Sequence, residues 1–182
     1  MSLQSGSPIL GRLVVIGLGL IGGSFAKGMR ERGLFFEVVG VDLDAESRRI
    51  AVDKGVVDRC ETNLATACQG ADVIQMAVPI LAMERLLGQL GRLDLGDAIL
   101  TDVGSAKGSV VRAARRIFAD TTLRFVPGHP IAGSEKSGVE AANATLFRRH
   151  KVILTPLEEV DQAALTRVDM LWRELGADVE HM

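Results

Sequence analysis

The sequence predicts an α/β protein with a doubly wound, mainly parallel β-sheet and helices on both faces. Short runs rich in valine and isoleucine alternate with segments of helical periodicity along nearly the whole chain. This alternation is typical of parallel strands joined by right-handed helical crossovers. Several runs are apolar without alternation, as expected for strands that are buried on both faces. The 182 residues are enough for one domain with a sizeable core.

Each element can be assigned in chain order. Strands are predicted at 12–17, 37–42, 73–78, 98–103, 123–127 and 151–155, with short extra strands at 56–60 and 178–182. Helices are predicted at 20–32, 44–54, 81–91, 105–118 and 161–175. Gly33 and Gly55 end the first two helices, because glycine adopts the left-handed C-cap conformation readily. Residues 1–11 are expected to form a flexible leader. Their composition resembles that of segments left by cloning.

The composition excludes several classes of partner. The chain has 21 basic and 23 acidic side chains and a formal charge of −2, so no electrostatic attraction to nucleic acid or to an anionic membrane is expected. The apolar run 14–25 ends before Lys27 and is shorter than the roughly 20 residues that a spanning helix needs. Cys60 and Cys68 are too few for a disulfide framework. We therefore expect a cytoplasmic protein with reduced cysteines and no membrane partner.

A glycine motif follows the first predicted strand. Gly17, Gly19 and Gly22 form a G-x-G-x-x-G pattern that leaves the strand and opens a helix at Leu20 and Ile21. The first glycine permits a tight turn, the second lets the backbone approach a pyrophosphate, and the third lets helix and sheet pack closely. The N–H groups of the helix start then face the anion. The motif predicts a Rossmann-type dinucleotide-binding domain spanning residues 12–182.

Asp42 ends the second predicted strand, 20 residues after Gly22. A carboxylate at this place accepts hydrogen bonds from an adenosine ribose and repels a 2′-phosphate, which favours NAD over NADP. The alternative is that Asp42 only caps the helix beginning near Asp44. Arg48 and Arg49 leave NADP open, since an arginine here can meet a 2′-phosphate; otherwise they lie on a solvated helix face.

Further loops are expected at the same sheet edge. Val78 and Pro79 follow one strand and are expected to pass under the cofactor, while Ser105 and Lys107 follow the next. Another loop carries a dense set of polar residues: His129, Ser134, Glu135 and Lys136. Ser105 has the alternative of a simple helix N-cap, and Lys107 that of a solvated surface lysine.

His129 is the best candidate for acid–base chemistry. It lies between a glycine and Pro130, which holds the preceding residue extended. A histidine with an ordinary pKa of about 6.5 is largely neutral at working pH and can take a hydroxyl proton as hydride leaves for a nicotinamide. The Ser105 hydroxyl could hold its ring in the useful tautomer. Glu135 could tune the charge of the site or close it.

At these residues the chain resembles the prephenate and arogenate dehydrogenases of tyrosine biosynthesis. The shared elements are GLGLIGGS, VDLD, DVGSAK, GHPIAGSEKSG and ANATLF followed by LTP, in the order and approximate spacing of the family. The resemblance runs from about Arg12 to Met182, and the GHP element is its most specific part. Ile131 stands where methionine is common in the family.

The resemblance implies an NAD-dependent oxidative decarboxylation of a cyclohexadienol. His129 would be the catalytic histidine, Ser105 would assist it, and Ser134 and Glu135 would line the substrate side. Prephenate is the expected substrate and arogenate the alternative. The family also has a C-terminal helical domain that forms a homodimer and binds the substrate carboxylates. We expect that domain to be absent here, so that the chain binds cofactor but is doubtful as a catalyst alone.

Two readings from other classes remain open. β-Hydroxyacid dehydrogenases share the glycine loop but usually use a lysine in a following domain as acid/base. A non-catalytic NAD-sensing module would bind cofactor without hydride transfer, and would leave the GHPIAGSEKSG segment without a role.

Overall fold

The computed structural model describes residues 10–119 and 124–182. Its strands are β1 (Leu10–Ile16), β2 (Phe35–Val41), β3 (Arg59–Glu61), β4 (Val73–Met76), β5 (Ile99–Asp102), β6 (Phe125–Pro130), β7 (Lys151–Leu154) and β8 (Asp178–His181). Its helices are α1 (Leu20–Arg32), α2 (Ala45–Asp53), α3 (Leu64–Cys68), α4 (Ile80–Leu90), α5 (Lys107–Phe118) and α6 (Gln162–Glu174). A short 3₁₀ turn spans Val139–Ala141.

The strands form one sheet in the order β3-β2-β1-β4-β5-β6-β7-β8. All neighbours from β3 to β6 pair in parallel, β7 runs antiparallel to β6, and β8 is parallel to β7. The predicted doubly wound, mainly parallel sheet is confirmed. The carboxyl ends of β1, β2, β4, β5 and β6 therefore meet at one edge, which we call the ligand edge because ligands bind there in open α/β sheets.

Two hydrophobic clusters lie on opposite faces of the sheet. One packs α1, α2 and α6 against it, and its largest buried side chain is Trp172. The rings of Phe25 and Phe147 meet Trp172 edge-on, with centroids 4.8 and 5.0 Å away. The other cluster packs α3, α4 and α5 against the second face. Helices therefore cover both faces of the sheet, as predicted.

Several element boundaries differ from the prediction. β1 begins at Leu10, so the last two residues of the expected leader belong to the sheet; residues 1–9 lie outside the described residues. The extra strand predicted at 56–60 is found at Arg59–Glu61, because Val56 and Val57 turn into the core after Gly55. Helix α3 was not predicted: five residues are too few to display helical periodicity.

The largest correction concerns His129. The strand predicted at 123–127 begins at Phe125 and continues to Pro130, while residue 123 lies outside the described residues. The extra length comes from antiparallel pairing with β7, in which His129 lies opposite Ile153. His129 is therefore a strand residue and not, as expected, part of the following loop. Strand pairing fixes its backbone more firmly than a loop would.

Candidate functional site

The glycine loop packs closely against its neighbours at Gly17 and Gly22 and has free space at Gly19. Gly17 has φ +95°, and an added Cβ there would lie 2.4 Å from the carbonyl oxygen of Ala77, the residue after β4. An added Cβ at Gly22 would lie 2.0 Å from the Gly17 carbonyl oxygen. At Gly19, by contrast, nothing lies within 4 Å of that position. The loop thus needs glycine at two positions for its own packing and at Gly19 leaves space for a ligand.

Three helices begin at the ligand edge without a side-chain cap. They are α1, α4 and α5, which follow the neighbouring strands β1, β4 and β5, and their N-cap residues are Gly19, Pro79 and Ala106. The first turn of α1 also contains no acidic residue, and Leu20 and Ile21 within it are partly exposed. Backbone N–H groups at such a helix start are available to an anion. The residues present therefore fit the pyrophosphate of a dinucleotide.

Asp42 holds the loop after β2 against the glycine loop. Its carboxylate accepts hydrogen bonds from the backbone N–H of Leu18 at 2.8 Å and of Asp44 at 2.9 Å. The cap of α2 is Asp44, whose side chain accepts from Ser47, so the interpretation of Asp42 as a mere helix cap is wrong. Each Asp42 oxygen keeps a further lone pair, since an ionised carboxylate has about four acceptor sites. A ribose hydroxyl can use them.

The two arginines of α2 have different surroundings. Arg49 forms ion pairs with Glu46 and Asp53 of its own helix and lies on the exposed face. Arg48 donates to the carbonyl oxygens of Asp42, at 2.7 Å, and Leu43, at 3.0 Å. Arg49 is thus the solvated helix-face residue that the sequence left open, and Arg48 braces the backbone beside the Asp42 carboxylate.

The turn after β4 lies against the glycine loop. Ala77 donates its N–H to the carbonyl oxygen of Ile16 at 2.7 Å and sits under Gly17. Val78 is partly buried against the second core cluster, and Pro79 is exposed at the start of α4. The structure thus brings Val78 next to Gly17 of the glycine loop, and Pro79 follows it as the N-cap of α4.

A buried carboxylate that the sequence analysis did not single out organises the next loop. Asp102, at the end of β5, is fully buried and pairs with Lys107 at 2.5 Å. It also accepts from the backbone N–H of Gly104 at 3.0 Å and of Gly128 at 3.3 Å. Burial raises the pKa of the Asp102 carboxyl and lowers the pKa of the Lys107 ammonium, and their mutual attraction opposes both shifts. Lys107 is therefore not the solvated lysine considered above.

Ser105 and His129 lie on adjacent segments of the ligand edge. Ser105 is exposed in the loop before α5; since α5 begins at Lys107 with Ala106 as its N-cap, the N-cap interpretation of Ser105 is wrong. His129 is partly buried, and its Nδ1 atom is buried without a hydrogen-bond partner among the described residues. The expected hydrogen bond from Ser105 is thus absent at this nitrogen. The exposed His150 and His181 bond to Arg148 and Asp169 instead.

The loop after β6 is exposed at its start and anchored at its end. Ser134 and Glu135 are exposed, and the Ser134 hydroxyl accepts the N–H of Lys136 at 3.1 Å. Further along, the N–H of Asn143 donates at 2.9 Å to the hydroxyl of Ser24, a fully buried residue of α1. This contact ties the loop to the helix that follows the glycine loop. Ser24 was missed because its partner is 119 residues away.

Residues 10–119 and 124–182 contain no group of three or more His, Cys, Asp or Glu side chains arranged for a metal ion. No helix within the same ranges is long and apolar enough to cross a membrane.

The comparisons with known proteins agree on one family. Residues 25–181 match the family model described as prephenate dehydrogenase, nucleotide-binding domain. A prephenate dehydrogenase from Lactococcus lactis is 42% identical over 145 residues, which are 79% of this chain and 40% of the relative. The chain thus spans less than half the length of that relative.

Solved structures of similar proteins share the fold over nearly the whole chain. Prephenate dehydrogenase from Aquifex aeolicus, in complex with hydroxyphenyl propionate and NAD+, is 37% identical with a TM-score of 0.87, covering 98% of this chain and 61% of that one. Synechocystis arogenate dehydrogenase is 31% identical with a TM-score of 0.85, covering 94% and 59%. The family model and these relatives together establish that the chain belongs to the prephenate dehydrogenase family, of which it represents the nucleotide-binding domain.

Proposed function

We propose that this chain is the cofactor-binding part of an NAD-dependent prephenate dehydrogenase, which converts prephenate to 4-hydroxyphenylpyruvate with loss of CO2 in tyrosine biosynthesis. The observation that carries the proposal is His129. It lies on a paired strand at the ligand edge, and its buried Nδ1 has no partner among the described residues. Gln75, Thr101, Thr155 and Trp172 also have buried polar atoms without a partner in this part of the chain, so it is the place of His129 at the ligand edge that favours a catalytic role for it.

NAD, when bound, supplies the hydride acceptor for this oxidation. The glycine loop and the start of α1 hold the pyrophosphate through backbone N–H groups, and Asp42 accepts from the adenosine ribose. An added 2′-phosphate would meet the Asp42 carboxylate, which is why we propose NAD rather than NADP. The proposed cofactor-binding residues are Gly17, Gly19, Leu20, Ile21, Gly22, Asp42, Val78 and Pro79.

His129 takes the proton of the substrate hydroxyl as the ring is oxidised. The loss of CO2 and the gain of aromaticity make the step strongly downhill, so the remaining tasks of the protein are orientation and exclusion of water. Ser105 is proposed to assist His129 from the neighbouring loop, without a hydrogen bond to its Nδ1 in the structure described above. Ser134 and Glu135 are proposed to line the substrate side. His129 lies near the end of β6, Ser134 and Glu135 follow that strand, and Ser105 follows β5, which supports a place for all four at the ligand edge.

Prephenate is the proposed substrate and arogenate the second candidate. The two differ by a keto or an amino group on the side chain, far from the hydroxyl that His129 meets. The similar structures include both a prephenate and an arogenate dehydrogenase. We therefore propose that residues outside this chain select between them.

We further propose that a helical C-terminal domain completes the site and forms a homodimer in the full-length protein. The chain covers between 40% and 61% of the length of the relatives named above, which is compatible with such a second domain. In that case the chain alone binds NAD but turns over little substrate. A cytoplasmic location is proposed with it, supported by the free thiols of Cys60 and Cys68.

The test is NADH formation by the full-length gene product with prephenate and arogenate assayed side by side. Turnover of either supports the proposal, and the ratio of the two kcat/KM values names the substrate. NAD binding without turnover of either would instead support the NAD-sensing module and refute the proposed reaction.

A further inference from the structure

One carboxylate contacts both segments that carry the proposed catalytic residues. The two oxygens of Asp102 receive the Lys107 ammonium, the Gly104 N–H and the Gly128 N–H. Gly104 and Lys107 flank Ser105, and Gly128 immediately precedes His129. The contacts of Asp102 therefore lie on both sides of Ser105 and directly before His129.

Strand register adds a second, independent relation. Asp102 of β5 lies opposite Pro127 of β6. Alternate residues of a strand face the same side, so the side chains of Asp102, Pro127 and His129 share one face of the sheet. The Asp102 carboxylate thus lies on the face of β6 from which His129 projects, two residues away along the strand.

We propose that Asp102, with Lys107 as its counter-ion, is a positioning residue that fixes the loop of Ser105 relative to the strand of His129. The assignment rests on the proposed function, since it concerns the two residues given roles there. Asp102 is fully buried, so its proposed effect on the reaction passes through its neighbours.

The chemistry of the cluster explains why these two residue types are present. The Gly104 N–H and the Gly128 N–H bind different oxygens of the carboxylate. An amide has only one acceptor oxygen, so asparagine at the same place would keep only one of the two bonds. A fully buried carboxylate needs a counter-charge, and the Lys107 side chain, 17% exposed, provides it. Buried ion pairs are weak contributors to stability compared with apolar residues of the same volume, so stability alone is a poor reason for this one.

The test compares Asp102→Asn, Lys107→Met and the double variant in the full-length protein, with Glu37→Gln on the distant strand β2 as control. Asp102→Asn leaves Lys107 uncompensated and one backbone N–H without its acceptor. We expect kcat to fall at least about tenfold, because small misplacements of catalytic groups are costly, while the Kd for NAD stays within about twofold because the glycine loop is held by other contacts. The control leaves kcat unchanged.

The double variant separates positioning from stability. It contains no uncompensated charge, so its Tm recovers towards that of the parent, but one of the two backbone anchors is still lost and kcat stays low. In the 182-residue chain, amide hydrogen exchange at Gly104 or Gly128 speeds up in Asp102→Asn and in the double variant, whereas exchange in β1 and β2 does not.

The outcomes distinguish a failure of the positioning role of Asp102 from a failure of the proposed function. An active parent whose double variant regains both Tm and kcat overturns the positioning role and leaves the proposed function intact. Unchanged exchange at both Gly104 and Gly128 overturns it as well. A full-length parent that turns over neither prephenate nor arogenate refutes the proposed function, and the positioning role with it.

Discussion

Gly22 lies in the first turn of α1 against the loop that precedes the helix. A methyl group added there would be 2.0 Å from the carbonyl oxygen of Gly17 and 2.8 Å from Cβ of Ala77. Carbon atoms normally approach such neighbours to about 3.5–4.0 Å, so in Gly22→Ala the helix start must move away from the loop by more than about 1 Å. Overpacking of this kind costs about 1–3 kcal/mol. For a chain of this size, a cost of about 2 kcal/mol lowers Tm by roughly 4–8 °C.

Gly19→Ala is the matched control, since the two glycines are three residues apart in one loop. Gly19 has φ −76° and nothing within 4 Å of an added Cβ, so alanine fits the free protein. Alanine is a poorer N-cap than glycine, which costs at most about 1 kcal/mol. Its methyl group would, however, enter the space proposed for the pyrophosphate, and we expect NAD affinity to fall at least about tenfold, or about 1.4 kcal/mol.

The assay pairs thermal unfolding, followed by the fluorescence of the single tryptophan, with calorimetric NAD titration. Gly22→Ala should lower both the Tm and the affinity for NAD, whereas Gly19→Ala should lower mainly the affinity for NAD. A Gly22→Ala variant with the Tm of the parent would refute the packing argument. Parental affinity in Gly19→Ala would refute the proposed pyrophosphate position.

Three further predictions concern charge and backbone. Asp42→Asn should lower the preference for NAD over NADP at least about tenfold in competition titrations, because a repelling charge is lost; an unchanged ratio would contradict the assigned role. Hydrogen bonds from Arg59, then Arg12, lower the pKa of Glu37 below 4.5. The ionised Glu37 carboxylate therefore stabilises the folded state fully above its pKa in the unfolded chain. This stabilisation is lost as the pH falls through its lower pKa in the folded state. Glu37→Gln should cost about 1 kcal/mol in urea melts at neutral pH and nothing once Glu37 is protonated; a cost independent of pH would argue against this account. Gly88→Ala in α4, where an added Cβ meets nothing within 4 Å, should stabilise by about 0.5–1 kcal/mol, and a lowered Tm would show that the site is less open than described.

The fold and the glycine loop were predictable because their causes are local or periodic. Uninterrupted apolar runs indicate strands that are buried on both faces. The spacing of Gly17, Gly19 and Gly22 indicates a turn whose contacts lie within a few residues. Asp42 could be found for the same reason, since its distance from the glycine loop is fixed by one crossover unit. Its hydrogen bond to Leu18 accords with that inference.

The remaining features depend on contacts between distant parts of the chain. The extension of β6 through His129 arises from pairing with β7, more than twenty residues later, and no local pattern marks it. Nothing within the strand predicted at 98–103 distinguishes Asp102, and only the structure brings Gly128 and Lys107 to its carboxylate. A buried carboxylate can be suspected from an aspartate that ends an apolar strand, but its donors cannot be named from spacing alone.

The most direct test of the account is His129→Asn in the full-length protein, with kcat for prephenate and Kd for NAD measured together. Asparagine preserves a polar side chain of similar size but cannot take the hydroxyl proton. Loss of a general base lowers rates by about 10²–10⁴-fold, so we predict a fall in kcat of that order with NAD affinity unchanged. Turnover close to that of the parent would contradict the central claim and would favour a base in another part of the protein.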